Sequence, residues 1–322
     1  MEGPPSSLQF LVSSFQLECH HLSAYHPTML RTLAMWVAYD GTDFHGWQTQ
    51  AGVRTVQETL EQAIRRAVRH QLDLAGSGRT DQGVHAAEHV SSFKTTNTLD
   101  VEKLRHSIGA RLPKDLSIIK IRDVRSDFHA TRSAVSKLYR YRIHNVPGRP
   151  VENLTQRYVY HFWHPLDFDR MRAAAEFFIG PHDFTALASK GTPRQSMVRT
   201  IIRCAIERHR DEVVIDVEGD GFLYKQVRNM VGTLIEVGRG HWEPEYVRNL
   251  IAGKDRSKAG PTVPARGLCL MWVRYPPELL VPVPASGTDA IAAEPSEGST
   301  PPESALSPPT PNHGTKNVFD VQ

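Results

Sequence analysis

Leu33–Tyr39 is an apolar run that stops at Asp40-Gly41, the pattern of a buried strand entering a turn. Thr55 and Glu58 then form a T-x-x-E capping box. Val56, Leu60, Ala63, Ile64, Ala67 and Val68 follow at helical spacing, with Arg65, Arg66 and Arg69 off the stripe. This predicts an amphipathic helix with a basic outer face, and solvation is the default role of those arginines. Leu72–Ala75 and His89–Phe93 read as strands, Asp100 caps a helix over Val101–Leu112, and Ser117–Val124 is again a strand. Strand, helix, strand, strand, helix, strand is a ferredoxin-like order.

The second half repeats this pattern loosely. Lys137–His144 alternates, with Tyr139, Tyr141 and Ile143 on one face and Leu138, Arg140 and Arg142 on the other. A strand over Arg157–Phe162 and a helix capped by Asp167 and running to Phe178 come next. Val198–Arg208 and Glu212–Val217 form a hairpin across Arg210-Asp211. Helices over Phe222–Val237 and Glu245–Ala252 precede a closing strand, Gly267–Tyr275.

Both ends break the pattern. Residues 1–30 fit no targeting class and read as an unstructured leader, so the cluster Cys19, His20, His21, His26 is a poor metal site. From residue 277 to 322, Pro, Ser, Thr, Gly and acids dominate; apolar residues are too sparse to offset ordering entropy, and a disordered tail is expected.

Composition adds little except through charge. With 40% hydrophobic and 23% charged residues, the chain is ordinary for a globular protein. No apolar run is long enough to cross a membrane. Three widely spaced cysteines exclude a disulfide framework and a CxxC metal knuckle and suit a reducing, cytoplasmic compartment. Residues 31–277 hold 37 of the 38 Lys and Arg but only 27 of the 35 Asp and Glu, a surplus of ten positive charges. A basic core between acidic ends suits a polyanionic partner.

Candidate chemistry concentrates in Gly76-Ser77-Gly78-Arg79-Thr80-Asp81-Gln82-Gly83-Val84-His85-Ala86. Glycines let such a loop bend sharply and let a ligand approach. A carboxylate used as a nucleophile must stay ionised while sheltered, so Asp81 needs a cation nearby. Arg79 is close in sequence, but residues two apart on an extended loop need not touch. Arg228 shares a predicted helix face with Tyr224, Val231 and Ile235. It is therefore either paired with an acid or extended along the edge of the core. Tyr139 on an apolar strand face is by itself core. His85-Ala86-Ala87-Glu88-His89 matches H-x-x-E-H, a zinc pattern that works only on a helix. Gly83 before it and the β-prone His89–Phe93 after it argue against a helix there.

The loop is similar, almost position for position, to the G-R-T-D-x-G-V-H-A signature of the TruA family of tRNA pseudouridine synthases. Tyr39-Asp40-Gly41-Thr42-Asp43-Phe44-His45-Gly46-Trp47-Gln48, Phe128-His129-Ala130 through Lys137-Leu138-Tyr139-Arg140-Tyr141, Pro181-His182-Asp183-Phe184 and Phe222–Gly232 also resemble family motifs. Gly109 and Arg111 depart from it, standing where asparagines are usual.

The resemblance implies an α+β fold. Two ferredoxin-like (RRM-like) halves, 31–130 and 131–276, would share a long, mainly antiparallel sheet, with helices on one face and the active-site cleft between the halves. It implies uridine isomerisation in the tRNA anticodon arm, around positions 38 to 40, by a homodimer that needs no cofactor or metal. Asp81 would be the nucleophile, Arg228 its ion-pair partner, Arg79 a residue that holds the base out of the helix, and Tyr139 the surface the target base stacks on. The rival readings are an inactive RNA-binding protein or folding chaperone on the same scaffold, and a zinc hydrolase using His85, Glu88 and His89.

Overall fold

The computed structural model describes residues 30–148, 156–191 and 195–281. The predicted leader, including Cys19 and its neighbouring histidines, lies outside the described residues, as does the tail beyond residue 281. Ten strands and five α-helices build the described fold. In the first half these are β1 (Arg31–Tyr39), α1 (Val56–Val68), β2 (Ala75–Gly76), β3 (His85–Thr95), α2 (Val101–Gly109) and β4 (Leu116–Val124). In the second they are β5 (Ser136–His144), β6 (Tyr160–His161), α3 (Phe168–Glu176), β7 (Gly180–Asp183), β8 (Val198–His209), β9 (Glu212–Gly219), α4 (Gln226–Gly238), α5 (Tyr246–Gly253) and β10 (Leu268–Arg274).

The main path of the sheet runs β4-β1-β3-β10-β5-β9-β8-β7, with β2 and β6 branching from β3 and β5. β4-β1-β3-β2 is one ferredoxin-like order and β10-β5-β9-β8 is a second. The join depends on β2 being only two residues long. It pairs with Ser91 and Ser92, so the other end of the β3 edge, at His85 and Ala86, is free to pair in parallel with Cys269 and Leu270 of β10. This parallel seam makes one continuous sheet from two halves.

Register across the seam places one row of side chains on a common face. Tyr39 lies opposite Ala86, Ala86 beside Leu270, Leu270 opposite Tyr139, and Tyr139 opposite Val217. All five are buried. The helices cover this face: α1 contacts α2, and α3 contacts α4 and β8. Each fully buried Leu, Ile, Met or Val there contributes about 1.5–3 kcal/mol relative to exposure.

Two local expectations are corrected. Thr55 is the N-cap of α1, but its hydroxyl caps nothing and is buried without a partner. The preceding loop already serves the first turn, since Val56 and Gln57 N–H groups donate to the Gly46 and Trp47 carbonyls. Asp100 and Asp167, by contrast, do cap α2 and α3 with their side chains. The second correction is at the other end of the chain. Pro277–Leu279, expected to begin the tail, forms a 3₁₀ turn whose Leu279 carbonyl accepts from Arg125, with Leu279 and Leu280 packed on the core.

Candidate active site

The signature loop bridges β2 and β3 and is fixed from several sides. Ser77 N–H donates to the Val90 carbonyl at 2.7 Å, and Lys137 Nζ donates to the Ser77 carbonyl at 2.7 Å. His89 Nε2 lies 2.9 Å from the Gly78 carbonyl, and the His89 ring stacks on Trp47 with centroids 3.8 Å apart. Trp47 N–H in turn donates to the Thr80 carbonyl at 3.0 Å, and the Thr80 and Tyr39 hydroxyls are 2.9 Å apart. The residues on either side of Arg79 are thus pinned, and the next residue after Thr80 is Asp81.

Asp81 Oδ2 accepts from Arg228 Nη1 at 2.8 Å; the side chains are 18% and 13% exposed. Arg228 Nε donates to the Val263 carbonyl at 2.8 Å, so the guanidinium is oriented by backbone on one edge and by carboxylate on the other. The segment carrying Val263 is locked onto α4. Gly232 and Gly260 touch backbone to backbone, and any side chain at Gly232 would run into the Pro261 carbonyl. Arg256 donates to Asn229 Oδ1 and Thr262 Oγ1 at 2.9 and 3.0 Å, and the fully buried Tyr141 donates its hydroxyl to the Pro264 carbonyl at 2.8 Å.

Tyr139 is buried beside this pair, with Phe222 edge-on at 5.2 Å. Burial, and after it the negative charge of Asp81, push its phenol pKa above the usual value, so the ring stays neutral. Arg79 is exposed and, among the described residues, has neither a hydrogen-bond nor an ion-pair partner. The structure therefore brings Asp81, Arg228 and Tyr139 together and leaves Arg79 exposed and outside their contacts. One helical expectation fails: α4 starts at Gln226, because Lys225 takes a left-handed φ of 58°. Tyr224 is consequently not on the Arg228 face but out on the preceding loop, 46% exposed.

The H-x-x-E-H match falls on β3, not on a helix. The β1–β3 register slips by one between Val37↔His89 and Tyr39↔Ala86. That slip sends His89 to the helix-covered face and His85 to the opposite one. His85 Nδ1 accepts from Gly41 N–H at 3.0 Å, while His89 stacks on Trp47. The two imidazoles cannot converge on one ion, so His85, Glu88 and His89 do not form the zinc site that the pattern spells. A cavity of about 500 Å³ lined by His85, Arg140, Arg142, Glu212 and Cys269 also lies on the opposite face, away from Asp81. Its arginines are already paired, Arg140 with Asp216 and Arg142 with Glu212.

Sequence reasoning missed the support around the site: His89, Trp47, the Lys137–Ser77 bond, and the Asn229–Arg256–Thr262 network. Only His89 left a signal, a histidine at an apolar position of a strand. The others meet partners tens of residues away in the chain, which no local pattern announces.

With this geometry in place, the chain can be compared with known proteins. A family model described as tRNA pseudouridine synthase matches residues 35–131 and 174–276. The chain is 41% identical over 246 residues to "tRNA pseudouridine synthase A 2" of Clostridium perfringens, covering 76% of this chain and all of the relative. It is 40% identical over 247 residues to "tRNA pseudouridine synthase A" of Thermoanaerobacter sp., with 76% and 100% coverage. Among solved structures, the archaeal box H/ACA sRNP Nop10-Cbf5 complex matches at 12% identity and a TM-score of 0.29, over 63% of this chain and 43% of that one, too distant to bear on the site. The fold and these matches define an isomerase with an α+β sheet of two ferredoxin-like halves. The chain belongs to the TruA family of tRNA pseudouridine synthases.

Proposed function

We propose that this protein converts uridine to pseudouridine in the anticodon arm of tRNA, around positions 38 to 40, with Asp81 as nucleophile. The observation that supports this most is the 2.8 Å pair between Asp81 and Arg228 at a sheltered site beside Tyr139. A carboxylate kept ionised and aimed by a fixed cation is what covalent attack needs.

Asp81 would add to the ribose C1′, expelling uracil as N1–C1′ breaks, or to the uracil C6. Either route ends with a new C5–C1′ bond, loss of the C5 proton and gain of a proton at N1, so atoms balance without redox change. Tyr139, neutral and buried, would present its ring to the extruded base. Arg79, exposed two residues before Asp81, would help hold the base out of the helix. The protein would act as a cytoplasmic homodimer with tRNA lying across both subunits. The test is incubation of the purified chain with unmodified tRNA transcripts and mapping of pseudouridine. New pseudouridine confined to the anticodon arm supports the reading; none, or modification elsewhere, contradicts it.

A further inference from the structure

We propose that Tyr224 and the cations around it form a subsite for an unpaired nucleotide next to the target uridine, stacking its base and holding its phosphate. This rests on the reading above, since it supplies a second contact for the same substrate.

The position of Tyr224 is the first argument. Phe222, two residues before it, packs on Tyr139, and Arg228, four residues after it, pairs with Asp81. Tyr224 thus lies on the short segment that joins two residues of the reacting centre, and it is 46% exposed.

The second argument is that its backbone is rigid. Lys225 in the left-handed region stops the helix and turns Tyr224 outward. Leu223 N–H donates to Oε1 of the fully buried Gln226 at 2.8 Å, and the Tyr224 carbonyl accepts from Ser189 at 3.0 Å. A side chain at Gly191 would meet the Tyr224 ring at 3.2 Å, so that glycine lets the chain back the ring closely. An exposed ring on a fixed backbone binds a planar partner with little ordering cost.

The third is charge. Lys225 Nζ lies over the Tyr224 ring, 4.9 Å from its centroid, Lys190 is the exposed neighbour of Gly191, and Arg199 Nε lies against Gly221, three residues before Tyr224. Among the described residues none of the three cations has an acidic partner. An exposed aromatic with one cation over its ring and two more on the adjoining segments can take single-stranded nucleotides, bases stacking on the ring and phosphates meeting the cations.

The experiment uses the full chain and a tRNA transcript whose modified uridine has first been mapped with the wild type. Failure of the wild type to form pseudouridine at that stage would fell the proposed function, and this subsite with it. Next, each nucleotide flanking the target is replaced by an abasic residue, and Kd and single-turnover rate are measured. One abasic neighbour should weaken wild-type binding by roughly ten-fold to a hundred-fold. Tyr224→Ala should show the same loss on intact tRNA and no further loss on the abasic tRNA. Tyr224→Phe, which keeps the ring, should recover most of the affinity, and Lys225→Ala should lower the salt dependence of binding by about one unit of slope. The inference is overturned if Tyr224→Ala binds within two-fold of wild type, or if its loss and the abasic loss multiply.

Discussion

Arg228 and Asp81 are 147 residues apart in sequence, and their side chains meet at 2.8 Å across the two halves of the sheet. The parallel β3–β10 seam and the α4-to-β10 segment bring them together, since the latter supplies the Val263 carbonyl that fixes the far edge of the guanidinium. Arg228→Lys keeps the charge but loses the two-sided fit. Turnover should drop without vanishing. Arg228→Ala should abolish turnover and also destabilise by about 1–3 kcal/mol, because Asp81 is left sheltered without its cation. Equal turnover in Arg228→Ala and wild type would remove the pair from the mechanism.

His89 supplies a stability prediction independent of activity. Complete burial pushes its imidazole down to about 3, the Gly78 contact opposing this only in part. A histidine whose folded pKa lies below the unfolded value of about 6.5 leaves stability intact above that value. The unfolded chain then binds the extra proton, so stability falls as pH drops from about 6.5 towards 3, by up to about 1.4 kcal/mol per unit. Urea midpoints measured from pH 7 to pH 4.5 should show this slope, and His89→Gln should flatten it. An unchanged slope in His89→Gln would place the acid sensitivity elsewhere.

The excess positive charge of the core predicts that tRNA affinity falls more than ten-fold between about 50 and 200 mM salt, through counterion release. Filter binding across that range gives the slope, and a flat line would contradict a phosphate-dominated interface.

Trimming the chain to residues 29–281 should leave folding and turnover unchanged. Cutting five residues shorter, to residue 276, removes the Pro277–Leu279 turn that packs beside Arg125, and should lower the melting temperature. A trimmed 29–281 chain that is insoluble or inactive would give one of the removed ends a structural role.

Most of the fold was legible because its signals are local. The apolar run at Leu33–Tyr39, the capping aspartates 100 and 167 and the Arg210-Asp211 hairpin each needed only neighbouring residues, and each stands in the structure. What failed was non-local. The left-handed Lys225 that expels Tyr224 from α4 has no glycine to announce it. Thr55 looks like a capping residue until the Gly46 and Trp47 carbonyls are found already serving that helix end. The register slip that separates His85 from His89 depends on pairing with β1, and a single strand read alone does not contain it. The Arg228 partner likewise could not be chosen from spacing; family resemblance pointed to Asp81, and the geometry places the two in contact.

Asp81→Asn tests most directly whether Asp81 forms the covalent bond. The substitution keeps size and removes the charge and the nucleophilic oxygen. Tritium release from C5-labelled uridine in tRNA should be lost outright, while tRNA binding, measured separately, persists or tightens slightly as a negative charge facing the phosphates disappears. Residual release above a few per cent of wild type, once deamidation back to Asp is excluded, would contradict the assignment of Asp81 as nucleophile.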